Sequence, residues 1–294
     1  MPITRRELLA IGAVGLVARP AISRASAATP LERQVGITTG SFSPQLRENP
    51  ARFQLPELLK IIRDELDMRV VDVYTPSLAS FEPEYLDGIR LAAEHAGCTL
   101  TNLKLNQPGL EMGSRDEALR ERSLAEYERS IHAAARLGMR WVRPLPGRTQ
   151  GDLKLIVAGY HRLMDYARPR GIKLLVENFG WMQSDPEAVT KLLDAIGGDI
   201  AASPDTGNWQ SNEVRYAGLA KSFPRAVTCD FKAFKMAPGG EHQAYDLKRC
   251  FTIGWDAGFR GPWCLEHGNP DTRQLFSELR LLRDQLHHWI AERS

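Results

Sequence analysis

Four carboxylates stand at matching places in four successive stretches of this chain. Leu174-Leu175-Val176 runs into Glu177-Asn178-Phe179-Gly180, and Ala202-Ser203-Pro204 into Asp205-Thr206-Gly207-Asn208. Thr228-Cys229 runs into Asp230-Phe231-Lys232, and Trp263-Cys264-Leu265 into Glu266-His267-Gly268. Taken singly, each acid could cap a following helix or pair with an arginine or lysine, and Asp205 also sits in ordinary turn chemistry. Taken together, four buried acids at the same end of neighbouring strands repel one another and need a countercharge. A divalent cation supplies it, and an all-oxygen donor set favours Mg²⁺ or Mn²⁺. Glu177, Asp205, Asp230 and Glu266 are therefore the metal-ligand candidates.

The elements that carry these acids alternate. Apolar or β-branched runs at Val35–Thr39, Val70–Tyr74, Thr99–Leu105, Trp141–Leu145, Ile172–Val176, Ile200–Ser203, Ala226–Phe231 and Pro262–Leu265 read as strands. Helical patterns lie between or after them: Leu55–Leu66, Glu84–His95, Asp116–Leu137, Asp152–Ala167, Pro186–Ile196, Glu213–Ser222, Leu247–Ala257 and Thr272–Ile290. Asp185 as N-cap with Pro186 at the first helical position marks the start of the fifth helix. Eight such alternations predict a single (β/α)₈ TIM barrel, in which chemistry gathers at the carboxyl ends of the strands. A doubly wound open sheet is the competing architecture. It calls for a Gly-rich phosphate turn, and the first strand leads instead into Thr38-Thr39-Gly40-Ser41-Phe42-Ser43-Pro44.

Strand parity assigns further residues to the mouth. Lys232 shares parity with Asp230, where its charge can stabilise an anionic oxygen or pair with a pocket acid. Arg143 and Arg148 follow the fourth strand; Arg143 is the candidate for a substrate oxygen, and Arg148 reads as solvated surface. Trp181 and Trp209 follow two acidic motifs and could stack on a sugar face or pack the barrel top. His242, in a glycine-rich stretch, is a candidate lid histidine, whereas His267 has the wrong parity to join Glu266. Cys264 should face inward and Cys229 outward, so a disulfide between them is not expected. The four cysteines (98, 229, 250, 264) contain no C-x-x-C pair, and buried apolar thiols are the simple reading.

The first residues read as an address. Arg5-Arg6, an apolar run from Leu8 to Ala18, and Ala25-Ser26-Ala27 are the three parts of a twin-arginine export signal. The expected organisation is a signal over 1–27 and a barrel domain over 28–294, with a periplasmic or secreted product. Removing the signal takes away Arg5, Arg6, Arg19, Arg24 and Glu7, turning the formal charge of +2 into −1. Such a surface has no bulk attraction for nucleic acid or anionic lipid. The apolar run is too short for a membrane span. A hydrophobic fraction of 43% and a charged fraction of 25% exclude a disordered or polytopic membrane chain.

The order and spacing of Glu177-Asn178-Phe179-Gly180, Asp205-Thr206-Gly207-Asn208, Asp230-Phe231-Lys232 and Leu265-Glu266-His267-Gly268 resemble the xylose isomerase-like TIM barrels, often called sugar phosphate isomerase/epimerases. The resemblance extends from Val35 to about Leu286. It implies a divalent metal on Glu177, Asp205, the position of Asp230 and Glu266, with Glu177 and Glu266 also serving as base and acid. Lys232 joins them as a catalytic candidate. The family usually has histidine where this chain has Asp230, often histidine at Phe179, and in some relatives histidine at Asn208, here a substrate-binding candidate. The implied activity is isomerisation or epimerisation of a free sugar, keto-sugar or polyol through an enediolate, with a lyase on a keto-sugar as a variant. A soluble homodimer is a family-level expectation. The competing functions are a non-catalytic exported carbohydrate-binding barrel and a metal-dependent abasic-site endonuclease, the latter expected to be richer in histidine and basic charge.

Overall fold

The computed structural model describes residues 30–48, 51–237 and 240–294. The proposed export signal over 1–27 lies outside them. A compact unit spans Leu31–Ser294. Its strands are β1 (Val35–Thr38), β2 (Val70–Tyr74), β3 (Thr99–Leu105), β4 (Trp141–Pro144), β5 (Lys173–Val176), β6 (Ile200–Ala202), β7 (Cys229–Lys232) and β8 (Trp263–Glu266). All pair in parallel in the order β6-β5-β4-β3-β2-β1-β8-β7. Isolated bridges Ala202↔Ala226 and Asp205↔Asp230 join the two ends, closing the TIM barrel expected from the alternation.

The helices are α1 (Ser43–Arg47), α2 (Leu55–Leu66), α3 (Pro83–Ala96), α4 (Glu117–Arg136), α5 (Leu153–Ala167), α6 (Ala188–Ile196), α7 (Asn212–Ser222), α8 (Leu247–Asp256) and α9 (Thr272–Glu292). Their starts are chemically marked. Asp116, Asp152, Ser211, Asp246 and Asp271 each accept a hydrogen bond from a first-turn N–H of α4, α5, α7, α8 and α9. The four candidate acids are not among these caps. The expected start of α6 is corrected: Asp185 accepts from Glu187 N in a turn, and the helix begins only at Ala188.

Side chains alternate between two cores. Ile37, Val71, Leu103, Val142, Val176, Phe231 and Leu265 face the helices. Leu31, Val70, Trp141, Leu175, Ala201 and Cys264 form a small apolar plug inside the barrel. The four cysteines are free and buried, with Cys264 in the inner cluster and Cys229 in the outer, as parity required. Above the plug, the inward positions are ionic. Among the described residues, no helix is long and apolar enough to cross a membrane.

Candidate active site

The inward residues at the carboxyl ends of β3 to β8 converge. Glu177, Asp205 and Asp230 are 3%, 0% and 0% exposed, and each offers a carboxylate oxygen within 4.8 Å of the others. Each is fixed by its own strand. Asp205 Oδ1 accepts from the N–H groups of Gly207 and Asn208, so turn chemistry and site chemistry use the same side chain. Asn178 donates to the carbonyls of Asp205 and Asn208 and accepts from Asp205 N, tying the ends of β5 and β6 together. Asn208 donates to Glu177 Oε1 at 2.9 Å. At Gly207 a Cβ would stand 2.6 Å from Lys232 Cδ, so a larger residue there would push on the lysine stem that crosses to the acids.

Three cations answer the acids, Lys104 and Arg143 buried and Lys232 partly exposed. Arg143 Nε lies 2.6 Å from Glu177 Oε2, and its Nη1 donates to Asn106 Oδ1. Lys232 Nζ lies 2.7 Å from Glu266 Oε1 and 3.5 Å from Asp205 Oδ2. Lys104, on β3, contacts Asp230 Oδ1 and lies 3.6 Å from Asp72 Oδ2. Asp72, Glu177, Asp205, Asp230 and Glu266 together outnumber Lys104, Arg143 and Lys232 by two charges. Burial raises the Asp205 carboxyl to about 7, against the pull of Lys232 and with repulsion from Glu266 and Glu177. Burial likewise pushes Asp230 well up, against Lys104 and with Glu177, Glu266 and Asp205 adding to it. Glu266 goes the other way: burial would raise it, but Lys232 and Lys104 hold it at about 2.

These residues fit a hard divalent cation. Asp230 Oδ2 is a buried oxygen without a hydrogen-bond partner among the described residues, whereas Glu177 Oε2 is taken by the ion pair with Arg143. Asp230 is one of the three acids that already share one locus. With all five acids ionised the pocket carries two surplus negative charges, which one such ion would neutralise; the upward push on Asp205 and Asp230 is the cost of that surplus when no ion is bound. Of the four predicted ligands, Glu177, Asp205 and Asp230 are brought together, while Glu266 stands beside them on Lys232, its side chain 28% exposed.

Other predicted residues divide. Lys232, Arg143 and Asn208 lie in the site. Trp209 is corrected. It is 7% exposed, its indole N–H donates to the Asp205 carbonyl, and its ring lies where a Cβ on Gly218 would be 2.2 Å away. It braces Asp205 from the helix side and offers no free face to a sugar. His242 is corrected too. Nε2 accepts from Phe234 N and Nδ1 donates to the Tyr245 carbonyl, so both ring nitrogens are spent on the loop after β7. Trp181 is half-buried against the outer core. Arg148 lies with its guanidinium over the Phe179 ring. His267 turns away, as parity required, to Glu278 at 2.7 Å.

The sequence reading missed Lys104, Asp72, Asn106 and Phe234. A lysine inside the apolar run Leu100–Leu105 and an aspartate inside Val70–Tyr74 were the signals for the first two. Phe234 is 43% exposed, with Lys232 Nζ 5.9 Å from its ring centroid and His242 stacked behind it. It is the aromatic face at this edge of the mouth. On the other side a hollow of about 120 Å³ is lined by Tyr74, Asn106, Glu111, Tyr127, Arg148 and Phe179, among others.

A family model described as xylose isomerase-like TIM barrel matches residues 64–289. No curated protein matches the chain. Among solved structures, a xylose isomerase-like TIM barrel protein from Mycobacterium smegmatis in complex with magnesium superposes with a TM-score of 0.62 at 17% identity, covering 88% of this chain and 97% of that one. D-psicose 3-epimerase from Clostridium cellulolyticum, solved with D-tagatose, gives 0.68 at 11% identity, covering 87% and 99%. The 3-keto-D-glucoside 4-epimerase of E. coli gives 0.66 at 13%, covering 89% and 100%. At these identities the likeness is one of fold.

Proposed function

Because the chain belongs to the xylose isomerase-like TIM barrel family, we propose that it isomerises or epimerises a small uncharged carbohydrate, a free sugar, keto-sugar or polyol, by moving a proton on carbon next to a carbonyl. Glu177, Asp205 and Asp230 would hold one Mg²⁺ or Mn²⁺. The observation that carries this reading is the meeting of three buried acids in a mouth whose five carboxylates outnumber its three internal cations by two. When bound, such an ion stabilises the negative oxygen that develops as the proton leaves. The magnesium complex of the mycobacterial barrel and the two epimerases of the same fold lend support.

The chain's own residues supply the proton chemistry. Glu266, ionised and partly open to the mouth, is the proton acceptor. Lys232 keeps it ionised, which alone would make it a weak base. A substrate oxygen that draws the Lys232 ammonium off Glu266 raises the basicity of Glu266 as the substrate binds. Glu177, held by Arg143 and Asn208, lies across the site as the second carboxylate. Phe234 offers an aromatic face to the apolar side of a sugar. Among the described residues of the site, Lys104, Arg143 and Lys232 are each paired with a carboxylate and not free for a phosphate, which suits an unphosphorylated substrate and the export proposed for residues 1–27.

The test is incubation of Mg²⁺-loaded protein with free aldoses, ketoses, 3-keto sugars and inositols in deuterated water, followed by NMR. Deuterium entering one carbon beside a carbonyl is the expected outcome. Absence of exchange across the panel, or exchange only with phosphorylated sugars, would overturn the reading. A carbohydrate-binding barrel without turnover is the second reading, favoured by the contact of Lys104 with Asp230. Metal analysis separates the two, because that reading expects sugar binding unaffected by chelation.

A further inference from the structure

Lys104 has two partners of unequal reach. Its ammonium contacts Asp230 Oδ1 and lies 3.6 Å from Asp72 Oδ2, with the lysine and both acids at most 1% exposed. Asp72 is held in place by the Thr101 hydroxyl, which donates to its Oδ1 at 2.6 Å. Its Oδ2 has no hydrogen-bond partner among the described residues. A buried carboxylate oxygen left in this state is costly. A shift of about 1 Å would bring Lys104 Nζ to hydrogen-bond distance from it.

We infer that Lys104 is a movable counter-ion, resting on Asp230 while the cation site is empty and moving to Asp72 when Asp230 becomes a ligand, so that Asp72 is a positioning residue for cation binding. This rests on the cation reading above. Without Asp72, freeing Asp230 would strand a buried ammonium. With it, the ammonium passes from one carboxylate to the other and the site keeps its charge balance. Asp72 is not among the acids whose oxygens cluster at the ion's locus, so it acts through Lys104.

The experiment is a double-mutant cycle on Mn²⁺ affinity, read by electron paramagnetic resonance of free Mn²⁺ at pH 8. The variants are Asp72→Asn, Lys104→Met and the double variant. Lys104→Gln, which keeps a hydrogen-bonding head between the two acids, replaces Lys104→Met if the latter fails to fold. Asp72→Asn should weaken Mn²⁺ about tenfold or more in the wild-type background, the scale of one charge interaction at this depth. In the Lys104 variant the same change should cost less than about threefold, because no ammonium needs a second partner. Equal losses in both backgrounds would reduce Asp72 to a distant field charge and overturn the inference. Binding by the Lys104 variant but not by wild type would do the same, since Lys104 would then never leave Asp230. Absence of binding in every protein would instead remove the cation site proposed above, and the switch with it.

Discussion

Asp205→Asn should make the cation-free protein more stable at pH 8 while abolishing its response to Mn²⁺. The Asp205 carboxyl moves from 3.8 to about 7 on folding, chiefly through burial. A raised acid contributes stability that is complete below pH 4 and lost as pH rises through 7. Ionising it in the fold at pH 8 therefore costs about 4 kcal/mol relative to the unfolded chain, at 1.36 kcal/mol per pKa unit. Asparagine keeps an acceptor for Gly207 N and Asn208 N without the charge. Its extra N–H group takes back part of the gain, leaving about 2 kcal/mol, or about 4–8 °C in Tm for a fold of this size. At pH 5, where the folded wild type already holds the proton, the difference should shrink by more than half. The assay is thermal unfolding by circular dichroism of chelator-treated proteins at both pH values, repeated with Mn²⁺. Wild type should rise in Tm with Mn²⁺ and the variant should not. A variant less stable than wild type at pH 8, yet still stabilised by Mn²⁺, would show that Asp205 is a turn residue and that the charge argument is mistaken.

Three further outcomes follow from the geometry. Glu266→Gln should abolish substrate deuterium exchange while leaving the circular dichroism spectrum unchanged; exchange at the wild-type rate would remove Glu266 from proton transfer. Phe234→Ala should raise KM about tenfold with little change in kcat, as expected for lost stacking area, and an unchanged KM would place the sugar elsewhere in the mouth. Gly218→Ala should cost about 1–3 kcal/mol in urea unfolding, because the new methyl meets the Trp209 ring and that ring carries the hydrogen bond to Asp205. Wild-type stability in this variant would show that the ring moves aside freely.

The barrel was legible because most strands are short apolar runs closed by glycine, proline or an acid, and because helical spacing fills the intervals. The late acids were legible for the same reason: an acid after Val176, Pro204 or Leu265 interrupts a run where a barrel presents its chemistry. Lys104 was not. Alternation counted from Leu100 places it on the outer face. The β2–β3 pairing carries an irregularity between Val71 and Val73, so that Leu100 and Leu103 both face the helices and Lys104 is turned inward. Parity fails wherever a bulge inserts a residue, and no residue type announces this one. Trp209 was misjudged for a different reason. Trp209 adjoins the acids in sequence, but glycine at 218 opens a socket for it two turns into the next helix wall, and that pairing is visible only in three dimensions.

Asp230 and Lys104 are best understood as one unit, and a final prediction follows. The family resemblance places a neutral histidine where this chain has Asp230, and aspartate there adds a negative charge to a site already crowded with acids. Lys104, 1% exposed and in contact with it, cancels that charge, so the pair presents the same net charge as the histidine it stands for. If so, restoring histidine alone should be harmful, because it leaves Lys104 with Asp72 at 3.6 Å as its sole close carboxylate. Breaking a buried pair outright costs about 3–5 kcal/mol, and transfer of the ammonium to Asp72 offsets part of that. Asp230→His should therefore lose about 1–3 kcal/mol in urea unfolding at pH 8, and Lys104→Met in the same chain should recover part of the loss. Strict additivity of the two changes would mean that the contact between β3 and β7 carries no coupling energy, and that the lysine sits in the barrel for a reason unrelated to the aspartate across from it.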